Sequence, residues 1–132
     1  MDDPKTLVLT IGWISLAIVG IATFLFGLIV TALPASYDTP LLGSIGVASI
    51  GMGLFGFFIT VMAFRRRERW AWFALLYYPV FWLAHLVGGL PPGRDRIHQI
   101  VLIVLSLAGL LLPLREFFPR GNAHTNSLRR NP

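Results

Sequence analysis

The feature that most constrains this chain is its division into four long apolar blocks without aspartate, glutamate, lysine or arginine. The blocks run over residues 6–33, 41–64, 70–90 and 97–114. About 20 apolar residues are what an α-helix needs to cross the hydrocarbon core of a bilayer. Lipid offers no hydrogen-bonding partner to the backbone, so a spanning segment of this kind must be helical. The sequence therefore predicts an all-α integral membrane protein with four spans.

The composition agrees with lipid as the surrounding solvent. Hydrophobic residues make up 55% of the chain and charged residues only 13%, whereas a soluble domain carries about 25% charged residues. The absence of cysteine excludes disulfides, thiolate catalysis and cysteine-bound metals. The net charge is +5, but the basic residues lie outside the apolar blocks. That pattern favours charges at a membrane surface, with the lipid bilayer as partner, over nucleic-acid binding.

Short connections between the blocks predict an antiparallel, up-down-up-down four-helix bundle with both termini on one side. With the termini in the cytoplasm, nine of the eleven lysines and arginines lie inside, and Arg94 and Arg96 lie outside. The positive-inside rule favours this orientation in the inner membrane. The strongest contribution comes from the arginines between the second and third blocks: Arg65, Arg66, Arg67 and Arg69. The same four are candidates for contact with phospholipid headgroups.

The chain is long enough for one domain. We assign residues 1–118 to the transmembrane domain and residues 119–132 to a polar cytoplasmic tail, which we expect to be disordered. The first block lacks a preceding basic segment and is too long for the apolar part of a signal peptide. We therefore expect it to be retained as a helix.

Small residues form a stripe along the second block at spacings of three and four residues. The members are Gly46, Ser49, Gly53, Gly56 and Thr60. In lipid, close backbone approach supplies the packing that apolar burial cannot. The stripe predicts a helix-packing face, either against the first helix of the same chain, which we favour, or between chains of an oligomer. Gly20, Thr23 and Gly27 form a narrower face of small residues on the first block.

The third block is the most aromatic and contains a proline in its middle. Pro79 cannot donate a backbone hydrogen bond, which predicts a kink. Tyr78, Trp82 and His85 are spaced at i, i+4 and i+7, and so share one helix face. This face predicts a pocket for a lipid, quinone, sterol-like molecule or pigment. The alternative is that it serves aromatic packing and anchoring at the membrane interface.

His85 is the one ionisable side chain well inside a predicted span, near its outer end. Asp38, Asp95 and His98 fall near the same end and complete the set of candidate ligand-binding residues. A carboxylate can orient an imidazole and raise its basicity, which would suit a site. The alternative is that His85 bonds a backbone carbonyl or Tyr37, while Asp95 pairs with its flanking arginines.

Other kinds of site have less support. His85 and His98 differ in depth by roughly 6 Å, which is unsuitable for a shared haem. No local histidine spacing typical of metal sites is present, so we predict no metal or catalytic residue and leave any cofactor open. Ion-coupled carriers generally need an ionisable group within the membrane. The charge-free spans therefore disfavour an oligomeric small transporter.

The layout resembles the small bacterial four-helix membrane proteins of loosely DoxX-like type. The resemblance is carried by residues 42–72, with LGSIG at 42–46, GMGLFG at 51–56, a basic turn, and Arg-Trp at 69–70. It implies a bacterial inner-membrane protein, and no functional residue is carried over from it.

Together these patterns predict a non-enzymatic accessory or assembly subunit, or a binder of a small lipophilic ligand. The partners expected are the lipid bilayer and a second copy or a larger membrane complex. A different class of protein, a membrane-embedded enzyme or redox component with an outer-face site around His85, is the main alternative.

Overall fold

The computed structural model describes residues 4–32, 39–89 and 96–119, and every element within these ranges is helical. The candidate membrane spans in these ranges are Lys5–Ala32, Pro40–Phe64, Arg69–Gly88 and Ile97–Phe117. Each is long and apolar enough to cross a membrane. This confirms the prediction of an all-α, four-helix protein of the multi-pass membrane type. Residues 120–132 of the predicted tail, Asp38 and Asp95 lie outside the described residues.

Three of the four spans consist of more than one helical piece. The pieces are α1 (Pro4–Ala32), α2 (Thr39–Ile59), a π-helical turn (Thr60–Phe64), α3 (Arg69–Leu75), α4 (Tyr77–Gly88), α5 (Ile97–Leu111) and α6 (Leu114–Phe117). At the π-helical turn, the Arg65 N–H donates to the Thr60 carbonyl five residues earlier, at 3.1 Å. The wider turn was not predicted from the sequence.

The third span is broken at Leu76, three residues before Pro79. Pro79 has no N–H to donate to the Leu75 carbonyl, and its ring crowds that carbonyl. Leu76 donates instead to the Phe73 carbonyl at 3.3 Å, and Val80 donates to the Leu76 carbonyl at 3.5 Å. The third span is therefore interrupted about one turn before the proline for which the sequence predicts a kink.

The fourth span is divided by Pro113, which separates α5 from α6. Carbonyls in the last turn of a helix lack helical donors. The indole Nε1 of Trp72 donates to one of them, the Leu110 carbonyl, at 3.0 Å. This bond ties α3 to the end of α5.

Helix α1 lies at the centre of the packing. It packs most extensively against α2 and also against α5, which in turn packs against α4. The α1–α5 contact has its own pair of glycines. A Cβ at Gly12 would lie 3.0 Å from the Gly109 carbonyl oxygen, and a Cβ at Gly109 would lie 3.1 Å from that of Gly12. This pair was not predicted from the sequence.

The small-residue stripe of α2 and the π-helical turn is buried within the single chain. A Cβ at Gly27 of α1 would lie 2.6 Å from the Gly46 carbonyl oxygen. A Cβ at Gly53 would lie 2.8 Å from the Gly20 carbonyl oxygen and would also overlap the backbone of Phe24. The two small-residue faces therefore meet each other, which is the arrangement we favoured over a contact between chains.

The outer surface of this bundle is apolar, and so is most of its core. Large apolar side chains face outward on all four spans, and Phe55 is 69% exposed. Four small hydroxyl side chains are buried, and each donates to a carbonyl of its own helix or span. These are Thr23, Ser49, Thr60 and Ser106, with donor–acceptor distances of 2.7–2.9 Å. Such internal satisfaction is what a lipid environment requires.

Candidate functional site

His85 lies in the last turn of α4 and is only 7% exposed. Its Nδ1 is 2.9 Å from the Phe81 carbonyl oxygen one turn earlier. A carbonyl can only accept, so we assign the ring proton to Nδ1. In the neutral imidazole with this tautomer, Nε2 carries no proton and presents a lone pair as an acceptor. The alternative in which His85 bonds a backbone carbonyl thus holds for Nδ1, and it does not account for Nε2.

Aromatic rings enclose this acceptor. The His85 ring centroid lies 4.1 Å from that of Phe81, 5.8 Å from that of Trp82 and 5.9 Å from that of Phe26. Nε2 is buried and has no hydrogen-bond partner among the described residues. A buried acceptor without a donor costs about 1–3 kcal/mol. We call His85 with these three rings the aromatic box.

Trp82 is fully buried, and its polar atom is already in use. Its Nε1 donates to the Thr23 hydroxyl oxygen at 3.2 Å, and that hydroxyl donates to the Val19 carbonyl at 2.8 Å. The ring also packs edge-on against Phe26, with centroids 5.2 Å apart. Trp82 therefore serves the site as a wall and as the link between the third span and α1.

Tyr78 shares the helix face of His85 but not its site. Tyr78 and His85 are seven residues apart, which corresponds to about 10 Å along a helix. Trp82 lies between them in the sequence. The hydroxyl groups of Tyr78 and its neighbour Tyr77 both point at Gly56, and Tyr77 donates to the Met52 carbonyl. Tyr78 is fully buried in this contact. The structure thus places it in the packing of the third span against α2.

His98 lies at the start of α5 and is exposed, with its ring centroid 6.4 Å from that of Trp82. It lies on the border of the aromatic box. The nearby Arg96 donates from Nη1 to the Leu86 carbonyl at 3.2 Å. A cation on the last carbonyls of a helix is a favourable cap, so Arg96 has a structural role. Within the described ranges, no group of three His, Cys, Asp or Glu could hold a metal ion.

The four arginines of the basic turn have two kinds of surroundings. The Arg65 guanidinium lies 5.5 Å from the Trp13 ring centroid, within the range of a cation–π contact. Arg67 has a left-handed backbone with φ of +62°, and its Nη1 lies 3.3 Å from Glu116 Oε2. Arg66 and Arg69 are exposed. The first two therefore hold the end of the bundle together, and the other two face outward.

The part of the aromatic box that comes from another helix was not predicted from the sequence. Phe26 lies on α1 and follows Thr23 by three residues, so both face the third span. The three-residue spacing of Thr23 and Phe26 could have placed both on the small-residue face of α1. No local sequence pattern indicates that this face contacts His85.

Comparisons with protein-family models, with curated proteins and with solved structures found no match to this chain.

Proposed function

We propose that this is a non-enzymatic inner-membrane protein that binds a small lipophilic ligand at the aromatic box. The ligand we infer carries one hydroxyl or N–H group on a mainly apolar body, as a quinol or a sterol-like alcohol does. The observation that carries the proposal is the buried Nε2 acceptor of His85, which lacks a donor among the described residues. A donor from the ligand would satisfy it, and the rings of Phe26, Phe81 and Trp82 suit an apolar or flat body.

The proposed orientation has cytoplasmic termini, which puts the aromatic box near the outer surface. The charge distribution supports it, since nine of the eleven lysines and arginines fall on the proposed inner side. The contacts of Arg65 with Trp13 and of Arg67 with Glu116 support a single basic end, because they join the basic turn to α1 and to the end of the fourth span.

Native mass spectrometry of the protein purified with its membrane-derived ligands tests the binding proposal. We expect wild type to retain a small-molecule adduct, and His85→Leu to retain about tenfold less of it, the loss expected for one hydrogen bond. His85→Gln offers an amide oxygen in place of Nε2 and should retain an intermediate amount.

His98→Leu is the matched control, because it removes an exposed imidazole at the same end of the bundle. It should bind as wild type does. An adduct retained equally by wild type and His85→Leu would refute the proposal. A stoichiometric metal in the wild-type sample would instead favour the redox alternative.

A further inference from the structure

The aromatic box is closed in this structure. Nε2 of His85 is buried, and the side chain as a whole is only 7% exposed. The surrounding rings are in contact, with centroids 5.2 Å apart for Phe26 and Trp82 and 4.1 Å apart for Phe81 and His85. A covered atom cannot accept a hydrogen bond from an incoming molecule. Binding at Nε2 therefore requires one wall of the box to move away from the others.

The wall that α1 contributes is firmly supported. Helix α1 is continuous from Pro4 to Ala32, and it packs most extensively against α2. A Cβ at Gly27, the residue after Phe26, would lie 2.6 Å from the Gly46 carbonyl oxygen. Two helices whose backbones lie this close cannot shift without losing their packing. Phe26 is therefore the fixed wall of the box.

The wall that α4 contributes has a weaker support. The third span is interrupted at Leu76, where the hydrogen bonds are long, at 3.3 and 3.5 Å, and Pro79 donates none. Beyond this break, α4 packs mainly against α5. It meets α1 through the ends of long side chains, with Trp82 and His85 against Phe26. Helix α4 is thus the element that can turn, and the break is its hinge.

Among the described residues, one hydrogen bond joins α4 to α1. Trp82 Nε1 donates to the Thr23 hydroxyl oxygen at 3.2 Å, which is longer than the usual 2.9–3.0 Å of such bonds. We propose that α4 is a gate of the aromatic box. It turns about the break at Leu76 to admit a molecule from the bilayer, and the bond between Trp82 and Thr23 is its latch. The gate depends on the binding proposed for the box, and the structure shows it closed.

Labelling with diethyl pyrocarbonate, which modifies unprotonated histidine nitrogens, tests the gate without any ligand. Peptide mapping of protein labelled in micelles gives the rate at His85, and the exposed His98 is the internal control. In wild type, His85 should react at least about tenfold more slowly than His98, because only a minor open state is labelled. Thr23→Val removes the acceptor of the latch and should raise the His85 rate about fivefold, the change expected for one hydrogen bond. Thr23→Ser keeps the hydroxyl and should react as wild type does.

A variant with the opposite sign acts on the hinge. Pro79→Ala restores an N–H for the Leu75 carbonyl and stiffens the break, so it should lower the His85 rate about threefold. Ser49→Ala is the matched control, because it removes a buried hydroxyl that donates to the Ile45 carbonyl of its own helix. It should leave the His85 rate within about twofold of that of wild type.

Equal His85 rates in wild type and Thr23→Val would overturn the gate, and so would labelling of His85 in wild type as fast as that of His98. A rise in Ser49→Ala as large as that in Thr23→Val would also overturn it, because it would indicate general loosening of the bundle. The outcome is separate from that of the adduct experiment. Labelling as expected, with an adduct retained by His85→Leu, would refute the ligand site but support the motion. Unchanged labelling with a lost adduct would refute the gate alone.

Discussion

At the scale of single residues, the absence of a side chain at Gly53 sets the distance between two helices. A Cβ at this position would overlap the Phe24 backbone and lie 2.8 Å from the Gly20 carbonyl oxygen. Backbone atoms cannot move aside as the end of a flexible side chain can. Gly51, two residues earlier on the same helix, has nothing within 4 Å of the corresponding point. The two glycines therefore have different roles despite their identical chemistry.

Gly53→Ala should destabilise the protein by about 1–3 kcal/mol, the usual cost of overpacking a closed contact. Gly51→Ala is the matched control and should stabilise the protein by about 0.5–1 kcal/mol, because alanine is the better residue in an open helix interior. Both values can be measured by denaturant titration in micelles. Equal effects of the two substitutions would show that the α1–α2 contact is not as close as the structure has it.

His85 illustrates a second point at the same scale. The sequence indicated an ionisable group inside a span, which is a reason to suspect a site. It could not assign the ring proton, because this depends on which nitrogen meets the Phe81 carbonyl, at 2.9 Å. With the proton on Nδ1, Nε2 of His85 is an acceptor and calls for a ligand that carries a hydrogen-bond donor. The His85→Leu experiment depends on this assignment.

At the scale of elements, the irregular points of the helices are where other elements attach. The third span breaks before Pro79, and the fourth ends its first helix before Pro113. Near the second break, Trp72 of α3 donates to the Leu110 carbonyl at 3.0 Å. A carbonyl left without a helical donor in lipid must find another one. The indole thus joins the third span to the fourth at the basic end.

Trp72→Phe keeps an aromatic ring but removes the donor, and should lower the free energy of unfolding by about 1–3 kcal/mol, since the Leu110 carbonyl loses its partner. Trp70→Phe is the control, because Trp70 is 55% exposed. Thermal unfolding followed by circular dichroism would compare the two. A loss in Trp70→Phe as large as that in Trp72→Phe would attribute the effect to anchoring at the interface instead.

At the scale of the whole molecule, charge is segregated to the ends of an apolar bundle. Arg65, Arg67 and Glu116 lie at one end, and Arg96 caps α4 at the other. The outward faces between the ends are apolar on all four spans. This arrangement suits a lipid bilayer, and it makes orientation a question of which end carries more positive charge.

The orientation can be read with single introduced cysteines, because the natural chain has none. With the termini inside, Ser127→Cys should react with a membrane-impermeant maleimide only after the cells are permeabilised. Thr39→Cys, at the start of α2, should react in intact cells. The reverse pattern would place the termini outside and would move the aromatic box to the inner surface.

Much of the fold could be predicted because the number of spans, their helical state and the weak point near Pro79 follow from local properties. The length of a segment without charged residues decides whether it can cross a bilayer. The missing N–H of a proline weakens the helix that contains it, whatever that helix packs against. The small-residue stripe could also be predicted, since helical periodicity places Gly46, Gly53 and Gly56 on one face. The three-residue offset between the break and Pro79 follows from the same local geometry.

The sequence by itself thus determined the four spans, the weak point near Pro79 and the small-residue faces of the first two spans. Only the tertiary structure decided which faces meet: Gly12 with Gly109, Phe26 with His85, and Trp72 with the Leu110 carbonyl. These pairs are separated by tens of residues, and local periodicity carries no information about the partner across a helix interface. The aromatic box needs three side chains of the third span and one of α1. It therefore exists only once α1 and the interrupted third span are packed together.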